Sequence, residues 1–389
     1  MSSAVAALEP LLEPQERLDR LIAAAFRRFG PRLVDLSYAN PYAGPAEDVM
    51  RVLSQTMTAR RGLALQYTPC AGRTATRRAI AAHLDQEYGL GFQLQDVIMT
   101  SGAMAGLNVA CRALFGPTDE VIVLTPCWQD YPLYLRHLNI PFRLVPLRHD
   151  KRLDLDAIRA AIGPTTRGVL FSDPCCPTGI VYAEEELLEL SDILSEAQML
   201  FGSCIYIISD EVHRHLVWSG TDFVSPLATY PRTVTIYSFG KALSLQGQRI
   251  GYVAVSPQIP ERHDACTALE RCVRLMGFGT PASLMQYAVC DLLTYRPSSE
   301  PMSRVQAHVR HTLSAYGYEV CHGDATFYVY VKAPIADDFV FAEHLASHGV
   351  LVVPSTLFHD PGYVRLSLTA RPEAIAAALP AFDTVLHEL

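Results

Sequence analysis

The sequence predicts an α/β fold, built on a mostly parallel β-sheet in a large domain with a smaller α+β domain beside it. Two observations carry that reading. Between Val97 and Val255, short and wholly apolar runs alternate with longer helix-like stretches, as strands buried on both faces of a parallel sheet do. Polar residues stand at or just past the ends of those runs, at Ser101, Thr125 and Asp210, where open α/β sheets gather their ligands.

The elements follow in order. Residues 1–35 read as a helical arm, with Leu11, Leu12, Leu18, Leu21, Ile22 and Phe26 apolar. The Pro- and Gly-rich run Asn40-Pro41-Tyr42-Ala43-Gly44-Pro45 is a loop. Arg73 to Tyr88 reads as a helix, with Ile80, Ala81 and Leu84 on one face. Val97 to Thr100 is a strand, and Ser101-Gly102-Ala103 then opens a helix running to about Phe115. Further strands are expected at 120–124, 168–172, 205–209, 233–238 and 252–255. Beyond about residue 258 the texture becomes α+β. One long helical stretch covers about 259–293 and another covers 303–316. A strand at 326–331, a helix at 339–348 and strands at 350–353 and 363–367 complete the chain. The expected division is an N-terminal arm with a small-domain segment over 1–50, a large α/β domain over 51–258, and a C-terminal small domain with its connecting helix over 259–389.

Composition excludes several classes. The 389 residues are 50% hydrophobic and 19% charged, with net charge −8. That is too apolar for disorder, and without a basic run it argues against a nucleic-acid partner. No apolar stretch reaches the ~18 residues of a membrane span. The start carries Glu9 and Glu13 and no basic region, unlike a signal peptide. Ten cysteines in this length are too dilute for a disulfide framework, and no CxxC pair points to structural zinc. A reduced, cytoplasmic protein is expected. Only three of the 32 basic residues are lysines, Lys151, Lys241 and Lys332. An always-charged guanidinium cannot replace a lysine that must act as a neutral amine.

Three motifs carry chemistry. Lys241 follows the end of a strand, and Arg249 lies eight residues on between glycines. Lysine forms a Schiff base with a carbonyl cofactor, and Ser238 and Arg249 could both donate to a phosphate. Asp210 ends an apolar strand, where an acid needs a partner; the alternative there is a plain helix cap. The strand–glycine–helix junction at Thr100-Ser101-Gly102-Ala103-Met104 offers free N–H groups to an anion, or is simply a tight turn. His213 and His215 flank Arg214 and could face one way, but two histidines without a third ligand make a poor metal site. The adjacent Cys175 and Cys176 read as small side chains in a Pro-flanked turn rather than a redox pair.

In this order the motifs resemble the class I/II aminotransferase superfamily, the fold-type-I pyridoxal 5'-phosphate (PLP) enzymes. The resemblance runs from about Leu36 to Ser367. It implies a seven-stranded-type sheet and a homodimer with active sites at the subunit interface. It makes Lys241 the Schiff-base lysine that also shuttles the α-proton, and Asp210 the partner of the pyridine nitrogen. Gly102, Ala103 and Met104 match the backbone phosphate cradle, with Ser238 and Arg249 as its side-chain donors. Trp128 matches the aromatic stacked on the ring. Tyr67 is similar to the tyrosine that reaches the neighbouring subunit's phosphate. Arg365 matches the arginine that clamps the substrate α-carboxylate.

Three positions depart from the family pattern. Asp173-Pro174-Cys175-Cys176-Pro177-Thr178-Gly179 stands for the usual Asn-Pro-x-Asn-Pro-x-Gly, so Cys176 replaces an asparagine that bonds the cofactor's phenolic oxygen and helps hold the substrate. His213 replaces a tyrosine near that oxygen, as in the C–S lyase branch, and is expected to tune or relay a proton near neutral pH. Ala39 replaces a glycine in the loop that packs over the substrate. The implied reaction is transfer of an amino group from an amino acid to a 2-oxo acid. The alternative is β/γ-elimination or replacement, C–S lyase-like or on an S-adenosylmethionine-type substrate in specialised metabolism, which His213 and Cys176 favour. A non-catalytic regulator with the same fold is a third reading. The intact Lys241, Asp210 and Arg249, and the lack of a DNA-binding extension, speak against it. Substrate side-chain selection is expected near 38–45 and 276–280.

Overall fold

The computed structural model describes residues 8–59, 62–277 and 280–389. A short strand, β1 (Val34–Asp35), follows an N-terminal helix over Glu9–Phe29. Seven strands then form the main sheet: β2 (Val97–Thr100), β3 (Glu120–Thr125), β4 (Phe142–Pro146), β5 (Thr166–Ser172), β6 (Tyr206–Asp210), β7 (Thr233–Ser238) and β8 (Gly251–Val255), in the order β2-β8-β7-β6-β5-β3-β4. The pairings from β4 through β7 are parallel, and β8 is antiparallel to both its neighbours. The expected α/β class is therefore what the chain adopts.

Both faces of this sheet are covered. Side chains alternate across a strand. Val121 and Val123 pack into one cluster with Leu107, Ala110 and Leu269 from the helices Ala103–Leu114 and Arg262–Leu275. Ile122 and Leu124 pack into another with Leu187 and Leu190 from the helix Glu184–Phe201. With apolar layers on both sides, water reaches the sheet at its strand ends. Asp210, Ser238, Ser172 and Thr100 all lie at C-terminal ends that point the same way.

Against the edge of that layer stand β9 (Tyr328–Lys332), β10 (Val350–Leu351), β11 (Val353–Pro354) and β12 (Tyr363–Ser367). Strands β11, β12 and β9 form an antiparallel sheet, and β10 pairs in parallel with β1. Their core joins Val309, Phe341, Leu345 and Phe382 from three further helices. The N-terminal helix packs here too, through Leu18 against Phe339 and Ala25 against Ala346.

Four local expectations are corrected. The helical stretch over 259–293 is broken into Arg262–Leu275 and Ser283–Ala288, with Gly277 at φ +70 and Pro281 in the gap; left-handed glycine and proline both end helices. Strand β4 escaped the sequence reading because only Val145 is buried there, as suits an edge. The strand expected from residue 326 starts at Tyr328, because Thr326 holds φ +65. Residues 350–353 divide between two sheets instead of forming one strand.

The main sheet should respond to truncation at its centre. Ile236 is fully buried on β7, so Ile236→Ala should lower unfolding free energy by about 2–5 kcal/mol, read from urea denaturation midpoints.

Candidate active site

The strand ends and the second layer enclose a cavity of about 690 Å³. Lys241, Asp210, His213, Cys176, Trp128, Ser238, Arg249, Arg365, Ala39, Ala103 and Met104 all line it. Gly102 sits beside it as the uncapped first residue of the Ala103–Leu114 helix. Tyr67 is different: it is fully exposed and does not line this chain's own cavity.

Asp210 ends β6 and is buried. Tyr131 Oη donates to its Oδ2 at 2.6 Å and the Val212 N–H donates to Oδ1 at 3.3 Å. Burial raises its carboxyl pKa to about 6, while the Tyr131 and Val212 donors and the Lys241 charge pull the other way. The next turn is pinned by a buried ion pair. Glu211 accepts from Arg214 at 3.3 Å and from the Ser225 hydroxyl at 2.5 Å, and Arg214 also donates to Tyr252 Oη at 2.8 Å. Those bonds fix the segment that carries both Asp210 and His213.

Ser238 and Arg249 meet the free end of the Ala103–Leu114 helix. Gly102 has φ +80, and a Cβ there would lie 2.8 Å from Arg249 Nη2. The guanidinium thus rests directly over a helix start that no side chain caps. Lys241 lies in a short helical turn that Ser238 caps by accepting the Gly240 N–H at 3.2 Å. Its Nζ sits 5.3 Å over the Phe327 ring, and among the described residues no hydrogen bond or ion pair engages it.

Arg365 comes from β12 and is buried between the rings of Tyr328 and Phe358. Its Nη2 donates to the Ser37 carbonyl at 3.0 Å, while Nε and Nη1 have no partner. Unpaired buried donors are costly, so these two face a missing acceptor. The Ser37–Asn40 segment is anchored from both layers, since Thr369 Oγ1 donates to the Tyr38 carbonyl at 3.0 Å and Gln246 Nε2 donates to Asn40 Oδ1 at 2.8 Å.

His213 is buried edge-on to Phe327 and Tyr328, and neither ring nitrogen has a partner. Burial, then the charges of Lys241 and Arg365, push its pKa far down. That environment disfavours the charged imidazolium form. His215 does not share its surroundings; it packs on Tyr237 and lines no part of the cavity. Cys176 is buried beside Phe327 and Tyr328, and burial raises its thiol pKa. Asp173, standing for the usual asparagine, is fully buried with its pKa well above the ordinary carboxyl value, again through burial.

Sequence reasoning missed several contributors. Tyr131 and Tyr328 carried no motif of their own. The N-terminal helix lines the cavity through Gln15, Leu18, Asp19 and Ile22. The i, i+3, i+4, i+7 spacing of those four was a visible signal of one helical face. Of the expected side-chain selection segments, Tyr38, Ala39 and Asn40 line the cavity. In the other, Phe278 and Gly279 lie outside the described residues.

Residues 31–382 match the family described as aminotransferase class I and II. The chain belongs to that family. It is 32% identical over 381 residues, 94% of each chain, to the probable aspartate/prephenate aminotransferase of Thermus aquaticus. An amino transferase from Eubacterium rectale superposes with TM-score 0.91 at 30% identity over 95% of each chain. The Thermus thermophilus aspartate aminotransferase solved with maleate gives TM-score 0.83 at 29% identity, covering 99% of this chain and 97% of that one. The chain is thus a PLP-dependent transferase of fold type I, and the relatives support amino-group transfer over elimination or replacement. No helix among the described residues is long and apolar enough to cross a membrane.

The residues present fit the cofactor. The uncapped helix start under Arg249 is a phosphate cradle, the Asp210 carboxylate suits a cationic ring nitrogen, and Lys241 presents an amine with no competing partner. If Asp210 holds that nitrogen as a carboxylate, cofactor affinity should fall as pH drops below about 6. Tyr131→Phe removes a donor that stabilises the carboxylate, so it should move that fall to higher pH. Equilibrium dialysis of the cofactor between about pH 5 and 8 checks both expectations.

Proposed function

We propose that this aminotransferase moves the amino group of an amino acid to a 2-oxo acid by means of Lys241, Asp210 and Arg365, as a cytoplasmic homodimer. The observation that carries the reading is that an unengaged lysine amine, a strand-end carboxylate and an arginine with two free donors open onto one cavity. When bound, pyridoxal phosphate supplies an electron sink for the substrate α-carbon and a carrier for the amino group.

In this scheme Arg365 offers the N–H groups that Ser37 leaves free to the α-carboxylate, which the planar guanidinium suits. The rings of Tyr328 and Phe358 hold the guanidinium in plane. Fixing the carboxylate orients the substrate's Cα–H bond, and the Lys241 Nζ takes that proton and later returns it. Asp210 would hold the cofactor's ring nitrogen, Trp128 would cover its ring, and Gly102, Ala103, Met104, Ser238 and Arg249 would hold its phosphate. His213 and Cys176 present uncharged groups to the phenolic oxygen, with Cys176 and Ala39 also beside the substrate.

The homodimer accounts for Tyr67. Its ring is fully exposed, and Tyr38, Tyr42, Leu63 and Leu65 are exposed nearby in sequence. A concentration of large exposed apolar side chains marks an interaction surface. Across a two-fold contact Tyr67 would reach the phosphate of the partner. The cytoplasmic placement rests on ten cysteines that are all unpaired, as in a reducing compartment.

Adding a panel of amino acids to the holoenzyme without a 2-oxo acid tests the function: one equivalent of keto acid should appear per site. Release of a leaving group instead would favour the elimination alternative. Lys241→Ala should slow turnover by at least ~10²–10⁴-fold. Arg365→Ala should raise KM, with a loss of roughly 2–5 kcal/mol in kcat/KM; an unchanged KM would remove the carboxylate assignment. Sedimentation equilibrium should give twice the chain mass, and Tyr67→Phe should weaken cofactor retention without dissociating the dimer.

A further inference from the structure

The roles proposed above use every cationic side chain that lines the cavity. Among the described residues those are Lys241, Arg249 and Arg365. Lys241 serves the reacting carbon, Arg249 covers the phosphate cradle and Arg365 takes the α-carboxylate. Among this chain's described residues, a second carboxylate on the substrate would find no further cation. The surface next to Arg365 explains what would be found instead. Val353 is the cross-strand partner of Arg365 and packs in one apolar cluster with Leu18, while Ile22 borders the same cluster. All three line the cavity, as does Tyr38. The charged group beside them is Asp19, one residue along the same helix and exposed. Gln129 Nε2 donates to Gln15 Oε1 at 2.7 Å and ties that helix to the segment carrying Trp128, so this wall is built into the site.

We propose that the amino donor is a monocarboxylic amino acid with an uncharged apolar or aromatic side chain, seated on Leu18, Ile22, Val353 and Tyr38. The inference rests on the aminotransferase reading and on Arg365 binding the α-carboxylate. Burying a carboxylate on this surface without a partner is costly, and the Asp19 charge adds repulsion. A buried ammonium side chain would lose its hydration against these four aliphatic or aromatic groups, a cost that the exposed, solvent-screened Asp19 offsets only in part.

The test uses the holoenzyme. With one 2-oxo acid held constant, kcat/KM is measured for leucine, phenylalanine, aspartate and lysine. Leucine and phenylalanine should exceed aspartate and lysine by at least about tenfold. Calorimetry with two unreactive carboxylates gives a second readout, and 3-phenylpropanoate should bind more tightly than maleate. Asp19→Arg, at an exposed position on the helix, should raise kcat/KM for aspartate relative to leucine. A preference for aspartate or lysine, tighter binding of maleate, or an unchanged ratio in Asp19→Arg each overturns the inference and leaves amino-group transfer standing. If no donor is converted, the proposed function fails, and the comparison of the two carboxylates still decides the inference.

Discussion

A parallel sheet covered on both faces meets water only at its strand ends, and this chain concentrates its polar chemistry there. Asp210 shows what the placement demands. At the end of β6 its carboxylate is out of water, so burial lifts its pKa, and only the Tyr131 hydroxyl, the Val212 N–H and the nearby Lys241 charge oppose the lift. A carboxylate held this way favours a cationic partner. The strand ends on either side carry Ser238 and Ser172, so the positions of these two hydroxyls relative to Asp210 follow from sheet register.

The second layer closes the site through a single buried guanidinium. Arg365 reaches the cavity from β12 and anchors to the Ser37 carbonyl, which ties the C-terminal sheet to the N-terminal segment across the opening. The same segment is held to the Gln246–Arg249 turn through Asn40. Arg365, the Ser37–Asn40 roof of the cavity and the Gln246–Arg249 turn are thus mechanically joined. The N-terminal helix completes the wall because its packing partners, Phe339 and Ala346, lie in that second layer.

The departures from the family pattern share one electrostatic character. Asp173, Cys176 and His213 are all buried, and burial disfavours the charged form of each. Functional charge remains with Lys241, Arg249, Arg365 and Asp210. An imidazole wedged between Phe327 and Tyr328 with both nitrogens free can still accept or donate one hydrogen bond, which an asparagine or tyrosine pattern alone would not have revealed.

The sequence by itself determined the parts that depend on local pattern. Unbroken apolar runs can only be strands sealed on both faces, so the strands ending at Thr100, Ser172, Asp210 and Ser238 were legible. The chemistry of Lys241 and Arg249 was legible too, because a rare lysine and a glycine-flanked arginine follow such a strand end. Tertiary structure decided whatever depends on a long-range neighbour. Strand β4 is short, interrupted by Arg143 and closed by Pro146, and only Val145 is buried on it. Tyr131 acquires its role only when the fold brings it to Asp210, 79 residues away, and the charge state of His213 is set by desolvation that no local pattern encodes. The N-terminal helix showed its amphipathic face in the sequence, but only packing against Phe339 and Val353 turned that face toward the cavity. Burial is a property of the assembled layers, and in this protein burial sets both the protonation states and the side-chain wall of the site.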